Sequence, residues 1–158
     1  MTLIKFLIYI LKGNSVKLRI AIDYDGTIVK NGAFPAAGKF RRGAIKWMTW
    51  LKHRGHELIL NTCRCDKYKN HNNNDAFYNA VYQLTTNAPL FFYINRNDPK
   101  LTESWGADPR KISADLYIDD KSLIPWSWWM VPIFTLYREY LKFKELNNDA
   151  ANDSSPVS

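Results

Sequence analysis

An α/β fold, built as a three-layer sandwich around a central and mainly parallel sheet, is predicted by three features of the sequence. Short apolar segments alternate with segments of helical periodicity, in the order strand, helix, strand, helix, strand, loop, strand. Residues 20–22 are apolar on both faces of their strand, which suits a parallel sheet covered by helices. The 158 residues amount to one domain's length of chain. This alternation is typical of parallel strands joined by right-handed crossovers.

The predicted strands are apolar runs that end in polar residues, and they cover residues 16–22, 57–62, 90–94 and 114–120. Helices are predicted over residues 39–54 and 75–85, because apolar residues recur there at helical spacing. Gly55 suits the C-terminal cap of the first of these helices. Residues 100–110 are predicted as a loop or short helix, and a last helix is predicted over residues 136–146.

The segments outside this pattern extend the predicted single domain to residues 1–147. Residues 1–12 are apolar but are interrupted by Lys5 and are too short to span a bilayer. We predict that they form a strand or short helix that packs on the domain, and a membrane-associating segment is the alternative. Asn31-Gly32 is a hairpin signal and predicts a small flap over the neighbouring acidic residues. Residues 148–158 are small and polar and are predicted to be a disordered tail.

Charge and cysteine content limit the classes of partner and compartment. The formal net charge of +7 favours anionic partners such as phosphates, nucleotides or nucleic acid. No run of lysine and arginine is long enough to act as a nucleic-acid-binding arm. Cys63 and Cys65 are too close in one extended segment to bridge each other, so they give no disulfide framework. Reduced thiols predict a cytoplasmic protein.

Polar side chains follow three of the predicted strands, and they are the carboxylates of Asp23, Asp25, Asp119 and Asp120 and the hydroxyl of Thr62. Any one of these polar strand ends, taken alone, is explained by the preference of such residues for turns. Together they indicate one site, because ligand-binding residues gather at the carboxyl ends of the strands in such sheets. Converging carboxylates repel one another unless a cation lies between them, and oxygen ligands favour Mg²⁺.

These motifs resemble those of the haloacid dehalogenase-like (HAD) phosphohydrolase superfamily. Residues 23–27, D-Y-D-G-T, match its first motif D-x-D-G-T. Thr62 resembles the second motif, and residues 118–120 resemble the acidic fourth motif. The resemblance covers residues 16–124. Within the superfamily, the chain is similar to a small bacterial and phage branch. It implies a Rossmann-like fold and a Mg²⁺-dependent phosphomonoesterase.

The resemblance also implies a role for each residue. Asp23 would attack phosphorus and form an aspartyl-phosphate, while Asp25 would protonate the leaving oxygen and then activate water. Thr62 would hydrogen-bond a phosphoryl oxygen. A lysine of the third motif would neutralise charge, for which we choose Lys111 while Lys100 remains open. The implied Mg²⁺ ligands are the carboxylates of Asp23, Asp119 and Asp120 and the backbone carbonyl of Asp25.

Arg64 and Arg96 each follow a strand end, and we predict that they bind a substrate phosphate; a structural salt bridge is an equal alternative for each. Trp126, Trp128 and Trp129 are interpreted as buried against the sheet, with a dimer or lid surface as the alternative.

Cap domains set substrate choice in this superfamily, and neither interval between the first three strands has room for one. We therefore expect an open, positively charged site. It would take a phosphorylated small molecule or a phosphate exposed on a macromolecule, and the sequence leaves the oligomeric state open. Two alternatives remain. One is a non-catalytic basic protein that binds nucleic acid or a partner protein, and the other is a phosphatase of nucleic-acid 3′ ends.

Overall fold

Four short parallel strands form the central sheet: β1 (Arg19–Ile22), β2 (Glu57–Leu60), β3 (Phe91–Ile94) and β4 (Leu116–Ile118). Their order across the sheet is β3-β2-β1-β4, and each neighbouring pair is parallel. The structure is a computed structural model that describes residues 3–32, 34–64, 75–87, 89–109, 111–122 and 127–153. The predicted α/β class with a parallel sheet is confirmed. The predictions for Cys65, the loop at 66–74 and Trp126 lie outside the described residues.

The helices of the described residues are α1 (Leu3–Leu11), α2 (Ala44–His53), α3 (Ala76–Asn87), α4 (Pro99–Trp105) and α5 (Val131–Asp153), with a 3₁₀ turn at Trp128–Met130. The segment at 100–110, which was predicted as a loop or a short helix, begins with helix α4. Asp98 caps it by accepting a hydrogen bond from the backbone N–H of Lys100 at 3.0 Å. Helix α5 includes residues 148–153, so the predicted disordered tail is wrong there.

Most of the core lies on one face of the sheet. Four buried strand residues, Ile20, Ile22, Leu58 and Leu60, contribute to it. Helices α2, α3 and α5 supply the facing side chains, which are Ala44, Met48, Leu51, Ala80, Leu84 and Val131. On the other face, Ala21 and Ile59 pack under Ile112. Burying one large aliphatic side chain contributes about 1.5–3 kcal/mol, so the first face supplies most of the hydrophobic stabilisation.

The predicted flap is present as a loop between β1 and α2. The backbone N–H of Lys30 donates to the carbonyl of Lys39 at 2.9 Å, and that of Arg41 donates to Ile28 at 2.8 Å. Helix α2 therefore begins at Ala44, later than the predicted residue 39, because residues 39–41 pair with the flap. In the described part of the interval between β2 and β3, α3 is the one helix.

Helix α1 packs against α5, as predicted for an apolar segment. The Tyr9 hydroxyl donates to the buried Glu139 at 3.1 Å, and Arg54 donates to both Glu139 oxygens at 2.9 and 2.7 Å. Burial by itself would raise the pKa of Glu139, but hydrogen bonds from His56 and Arg54 outweigh it and hold that pKa below its ordinary value. Of the helices that the structure describes, none is long and apolar enough to cross a membrane.

Candidate functional site

Three carboxylates meet where β1 and β4 end. Ile22 pairs with Ile118 in the parallel register, so Asp23 and Asp119 leave the sheet at the same level. The backbone N–H of Asp23 donates to the carbonyl of Ile118 at 2.9 Å, which extends the strand pairing by one hydrogen bond. One carboxylate oxygen from each of Asp23, Asp119 and Asp120 lies within 4.8 Å of the others. The structure thus brings together three of the predicted metal ligands.

We call the side chains of Asp23, Asp119 and Asp120 the acidic cluster. Their mutual repulsion affects the pKa of Asp23. Burial, and then repulsion from the other two carboxylates, raise the pKa of Asp23 from 3.8 to about 6. Hydrogen bonds from the Tyr24 backbone and the Thr27 hydroxyl act in the opposite direction without cancelling the rise. Among the described residues, no lysine or arginine nitrogen lies within 4.0 Å of the Asp23 carboxylate.

Asp120 is held in the cluster from two sides. Its backbone N–H donates to the Thr27 hydroxyl oxygen at 2.8 Å, and its Oδ2 accepts from Asn31 Nδ2 of the flap at 3.2 Å. Gly26 passes so close that a Cβ there would lie 2.6 Å from the Asp120 carboxyl carbon. Gly26 also has a φ of +79°, a conformation that favours glycine. Both the backbone and the space at this position therefore require glycine.

The donor set of the acidic cluster fits a hard divalent cation. Asp120 Oδ1 is buried and has no hydrogen-bond partner among the described residues. A buried carboxylate oxygen without a partner is costly, and two further carboxylates close to it add repulsion. A cation bound among the three oxygens would remove both penalties, and all-oxygen ligands are those that Mg²⁺ prefers.

Asp25 lies outside this acidic cluster and is paired with Arg64. Arg64 Nε donates to Asp25 Oδ2 at 2.8 Å and Nη2 donates to Oδ1 at 2.7 Å, which is a bidentate ion pair. The Arg64 side chain is 1% exposed, whereas that of Asp25 is 33% exposed. One edge of the Asp25 carboxylate is therefore fixed by the protein, and the group keeps some access to solvent.

The remaining donors of Arg64 all bind backbone carbonyls. Nη1 donates to Pro35 at 3.0 Å and to Ala76 at 3.1 Å, and Nη2 also donates to Ala36 at 2.9 Å. All five N–H groups of the guanidinium are thus used. No donor is left for a substrate phosphate, so of the two roles predicted for Arg64 the structural ion pair is the one found. Arg64 is a positioning residue for Asp25 and for the flap.

Thr62 follows β2 and is held by Asn95, which follows β3. Asn95 accepts from the Thr62 N–H at 2.7 Å and donates to the Thr62 carbonyl at 2.8 Å. Asn95 adopts a left-handed conformation with a φ of 50°, which asparagine tolerates better than most residues. The Thr62 hydroxyl oxygen accepts from the backbone N–H of Arg64 at 3.2 Å. The described residues supply no acceptor for its own O–H, and its predicted contact with a phosphoryl oxygen stays a prediction.

The candidate lysines are not in contact with Asp23. Lys111, Lys100 and Arg96 are all exposed, and within the described part of the chain none of them forms a salt bridge. Buried Asn97 donates to the Lys111 carbonyl at 3.2 Å, which ties Lys111 to the segment that follows the carboxyl end of β3. Lys111 Nζ lies 5.7 Å from the centre of the Tyr117 ring. The choice between Lys111 and Lys100 stays a prediction.

The tryptophans of the predicted cluster differ in environment. Trp128 is 1% exposed, and its indole N–H donates to the Thr27 carbonyl at 2.9 Å. Burial against the core is therefore confirmed for Trp128. Trp129 is 62% exposed, so that interpretation is wrong for this residue.

Comparison with known proteins supports the fold. No family model matches the chain, and no curated protein matches it either. Among solved structures, the chain is similar to a conserved protein coded by a locus of Bacteroides thetaiotaomicron, with 28% sequence identity and a TM-score of 0.59. The similarity covers 82% of this chain and 93% of the other chain.

The sequence did not predict the contacts of three asparagines that shape the site. Asn31 binds Asp120, Asn95 binds the backbone of Thr62, and Asn97 binds the segment that carries Lys111. Each lies in a turn directly after a strand or at the tip of the flap. A signal was present in the asparagines that follow β3, since asparagine favours turns and left-handed backbone. The partners of these side chains are distant in sequence, so the sequence does not reveal them.

Proposed function

We propose that this protein is a HAD-like, Mg²⁺-dependent phosphohydrolase that cleaves phosphomonoesters through an aspartyl-phosphate. One observation carries the proposal: the carboxylates of Asp23, Asp119 and Asp120 lie within 4.8 Å of one another at two neighbouring strand ends. Asp23 is the first residue of the D-Y-D-G-T motif, and no described lysine or arginine lies beside it. An arrangement this repulsive suits a site that works with a bound cation.

In the first step, an oxygen of Asp23 attacks phosphorus and the bond from phosphorus to the ester oxygen breaks. Mg²⁺ bound by the acidic cluster would keep Asp23 ionised and neutralise charge on the phosphoryl group. The hydroxyl of Thr62 donates to a phosphoryl oxygen. The leaving oxygen takes a proton from Asp25.

In the second step, Asp25 takes a proton from water, and that water oxygen attacks phosphorus of the aspartyl-phosphate. The bond between phosphorus and Asp23 breaks, which releases inorganic phosphate and restores the carboxylate. Both oxygens of Asp25 accept hydrogen bonds from Arg64. The carboxylate has about four lone-pair sites and its side chain is 33% exposed, so Asp25 can give and take the proton at a site that Arg64 does not occupy.

The substrate class follows from access and charge. The described residues between β1 and β3 provide a flap and two helices rather than a folded cap. The chain carries a formal net charge of +7, which attracts anions. A phosphomonoester on a small molecule, or a phosphate exposed on a macromolecule, suits such a site. Arg96, exposed after β3, is the residue that we propose for binding the substrate phosphate.

Phosphate release from a generic aryl phosphate tests the proposal. Wild-type protein should release phosphate with Mg²⁺ and lose this activity with a chelator. Asp23→Asn should be inactive, and Asp149→Asn, which changes an exposed aspartate on α5, should match wild type. If wild type turns over no member of a broad panel of phosphomonoesters, the enzyme proposal fails and the non-catalytic binding protein is favoured.

Nucleic-acid ends require a separate measurement. If the substrate is a 3′-phosphate on DNA or RNA, affinity for the oligonucleotide should fall steeply as salt is added, because binding releases counterions. A phosphatase whose oligonucleotide affinity is undetectable at low salt would instead act on a small molecule or on a phosphate exposed on a protein.

A further inference from the structure

The outer face of α1 is apolar and exposed. Four large side chains lie on it at spacings of three and four residues, and they are Ile4, Leu7, Ile8 and Leu11, with exposures of 67, 47, 45 and 83%. This spacing places all four on one stripe of the helix. Scattered exposed apolar residues are normal on protein surfaces, whereas a continuous stripe indicates an interaction site.

The inner face of α1 is fixed to the fold, so the stripe faces away from it. The Phe6 ring centre lies 5.6 Å from that of Tyr140, and the Tyr9 ring centre lies 5.2 Å from that of Phe143. Tyr9 is 2% exposed and donates to buried Glu139. Burial and the Glu139 charge raise the pKa of Tyr9 to about 12, so this hydrogen bond persists at neutral pH. Helix α1 therefore keeps one orientation.

A basic groove runs beside the stripe, between α1 and α5. Its volume is about 660 Å³, and aromatic side chains of α5, Tyr140 and Phe143, form part of its lining. Lys5, Lys12 and Lys144 also line it, and the lining residues include no aspartate or glutamate. Lys12 directly follows α1, and its backbone N–H donates to the Ile8 carbonyl at 3.0 Å, so it continues the helical path and lies on the same side as Lys5, two turns earlier. An apolar stripe thus adjoins a row of positive charges.

This face lies at the opposite end of the sheet from the acidic cluster. Glu139, which anchors α1, binds Arg54 and His56, and these residues precede the amino end of β2. The acidic cluster follows the carboxyl ends of β1 and β4. A partner bound along α1 would therefore leave the proposed active site open.

We propose that the stripe and the basic groove bind the surface of an anionic lipid bilayer. The apolar side chains of α1 enter the boundary between headgroups and acyl chains, and the lysines bind the phosphates of the headgroups. Charge complementarity selects this occupant over a second copy of the chain. Symmetric packing of two such faces would bring their lysines together, and each copy carries a formal net charge of +7. This inference does not rest on the proposed hydrolase activity.

Co-sedimentation of the full chain with vesicles tests the proposal. Vesicles that contain phosphatidylglycerol should bind the protein, pure phosphatidylcholine vesicles should bind it far more weakly, and added salt should reduce binding. Leu7→Gln should weaken binding about tenfold, because it removes one apolar anchor. Lys5→Gln should weaken it about fivefold. Tyr78→Gln and Lys46→Gln are the matched controls on exposed positions of α3 and α2, and they should bind as wild type does.

Several results would overturn the proposal. They are equal binding to both kinds of vesicle, no binding to either, or equal losses in the variants and their controls. A doubled mass in light scattering that Leu7→Gln abolishes would assign the face to a second copy of the chain. Thermal melts would show whether Leu7→Gln folds. If it does not, Ile4→Gln takes its place, since that side chain is 67% exposed.

Discussion

Asp23→Asn should stabilise the metal-free protein at neutral pH while abolishing phosphate release. In the folded protein, burial and the neighbouring carboxylates of Asp119 and Asp120 raise the pKa of Asp23 from 3.8 to about 6. The folded state therefore holds this proton more tightly than the unfolded chain does. As a result, the free energy of unfolding falls as pH rises from about 4 to 6, and it stays lowered above pH 6. Asparagine carries no charge and avoids this loss.

The size of the effect follows from the two pKa values. A rise from 3.8 to about 6 corresponds to about 3 kcal/mol. Asp23 keeps part of its solvent contact, so screening reduces the expected gain to about 2 kcal/mol. For a domain of this size, 1 kcal/mol shifts the melting temperature by about 2–4 °C, so we expect Asp23→Asn to melt about 4–8 °C higher.

Thermal unfolding with EDTA at pH 5.0 and 7.5 measures this prediction. Asp23→Asn should melt above wild type at pH 7.5, and the difference should shrink at pH 5.0. Adding Mg²⁺ should raise the melting temperature of wild type more than that of the variant, because the cation binds the folded state. Asp149→Asn, the control on α5, should change neither the melting temperature in EDTA nor its rise with Mg²⁺. A variant that melts at or below wild type at pH 7.5 in EDTA would refute the electrostatic reasoning.

Three further predictions concern the frame of the site. Gly26→Ala should lower kcat/KM about a hundredfold and weaken the stabilisation by Mg²⁺, because its Cβ would lie 2.6 Å from the Asp120 carboxyl carbon. Unchanged kinetics would contradict this. Arg64→Gln should lower the free energy of unfolding by about 3 kcal/mol in urea titrations, since it leaves buried partners unpaired; a loss under 1 kcal/mol would argue against its positioning role. Comparison of Lys111→Ala with Lys100→Ala should show a large fall in kcat for Lys111 alone, and a fall confined to Lys100→Ala would reverse the assignment.

Hydrophobic patterns predicted which residues are buried better than they predicted where strands begin. The first strand was predicted from residue 16, but its ladder with β2 begins at Arg19. Leu18 is nevertheless fully buried, because it packs in the core ahead of the ladder. Apolar character marks burial, while strand bounds depend on which backbone groups find partners on a neighbouring strand.

Some features of the candidate site were likewise predictable from the sequence, and others were not. The order of the motifs predicted that the carboxylates after β1 and β4 meet, because parallel strands end at the same edge. The role of Arg64 depends on acceptors that are distant in sequence: the Asp25 carboxylate after β1, the Pro35 and Ala36 carbonyls of the flap, and the Ala76 carbonyl at the start of α3. An arginine at a strand end has the same local sequence whether it binds a substrate or a carboxylate. The way in which the flap and the start of α3 pack around Arg64 decides between the two.

Thr27 explains why the acidic cluster stays together despite its repulsion. This residue is fully buried, and its hydroxyl donates to Asp23 at 3.2 Å while accepting from the Asp120 N–H at 2.8 Å. Its carbonyl accepts from buried Trp128, just ahead of α5. One residue thus links the ends of β1 and β4 to the helical layer. These bonds fix the backbone beside Asp23 and Asp120, so the two carboxylates stay near each other, and a bound proton or cation would reduce the repulsion between them.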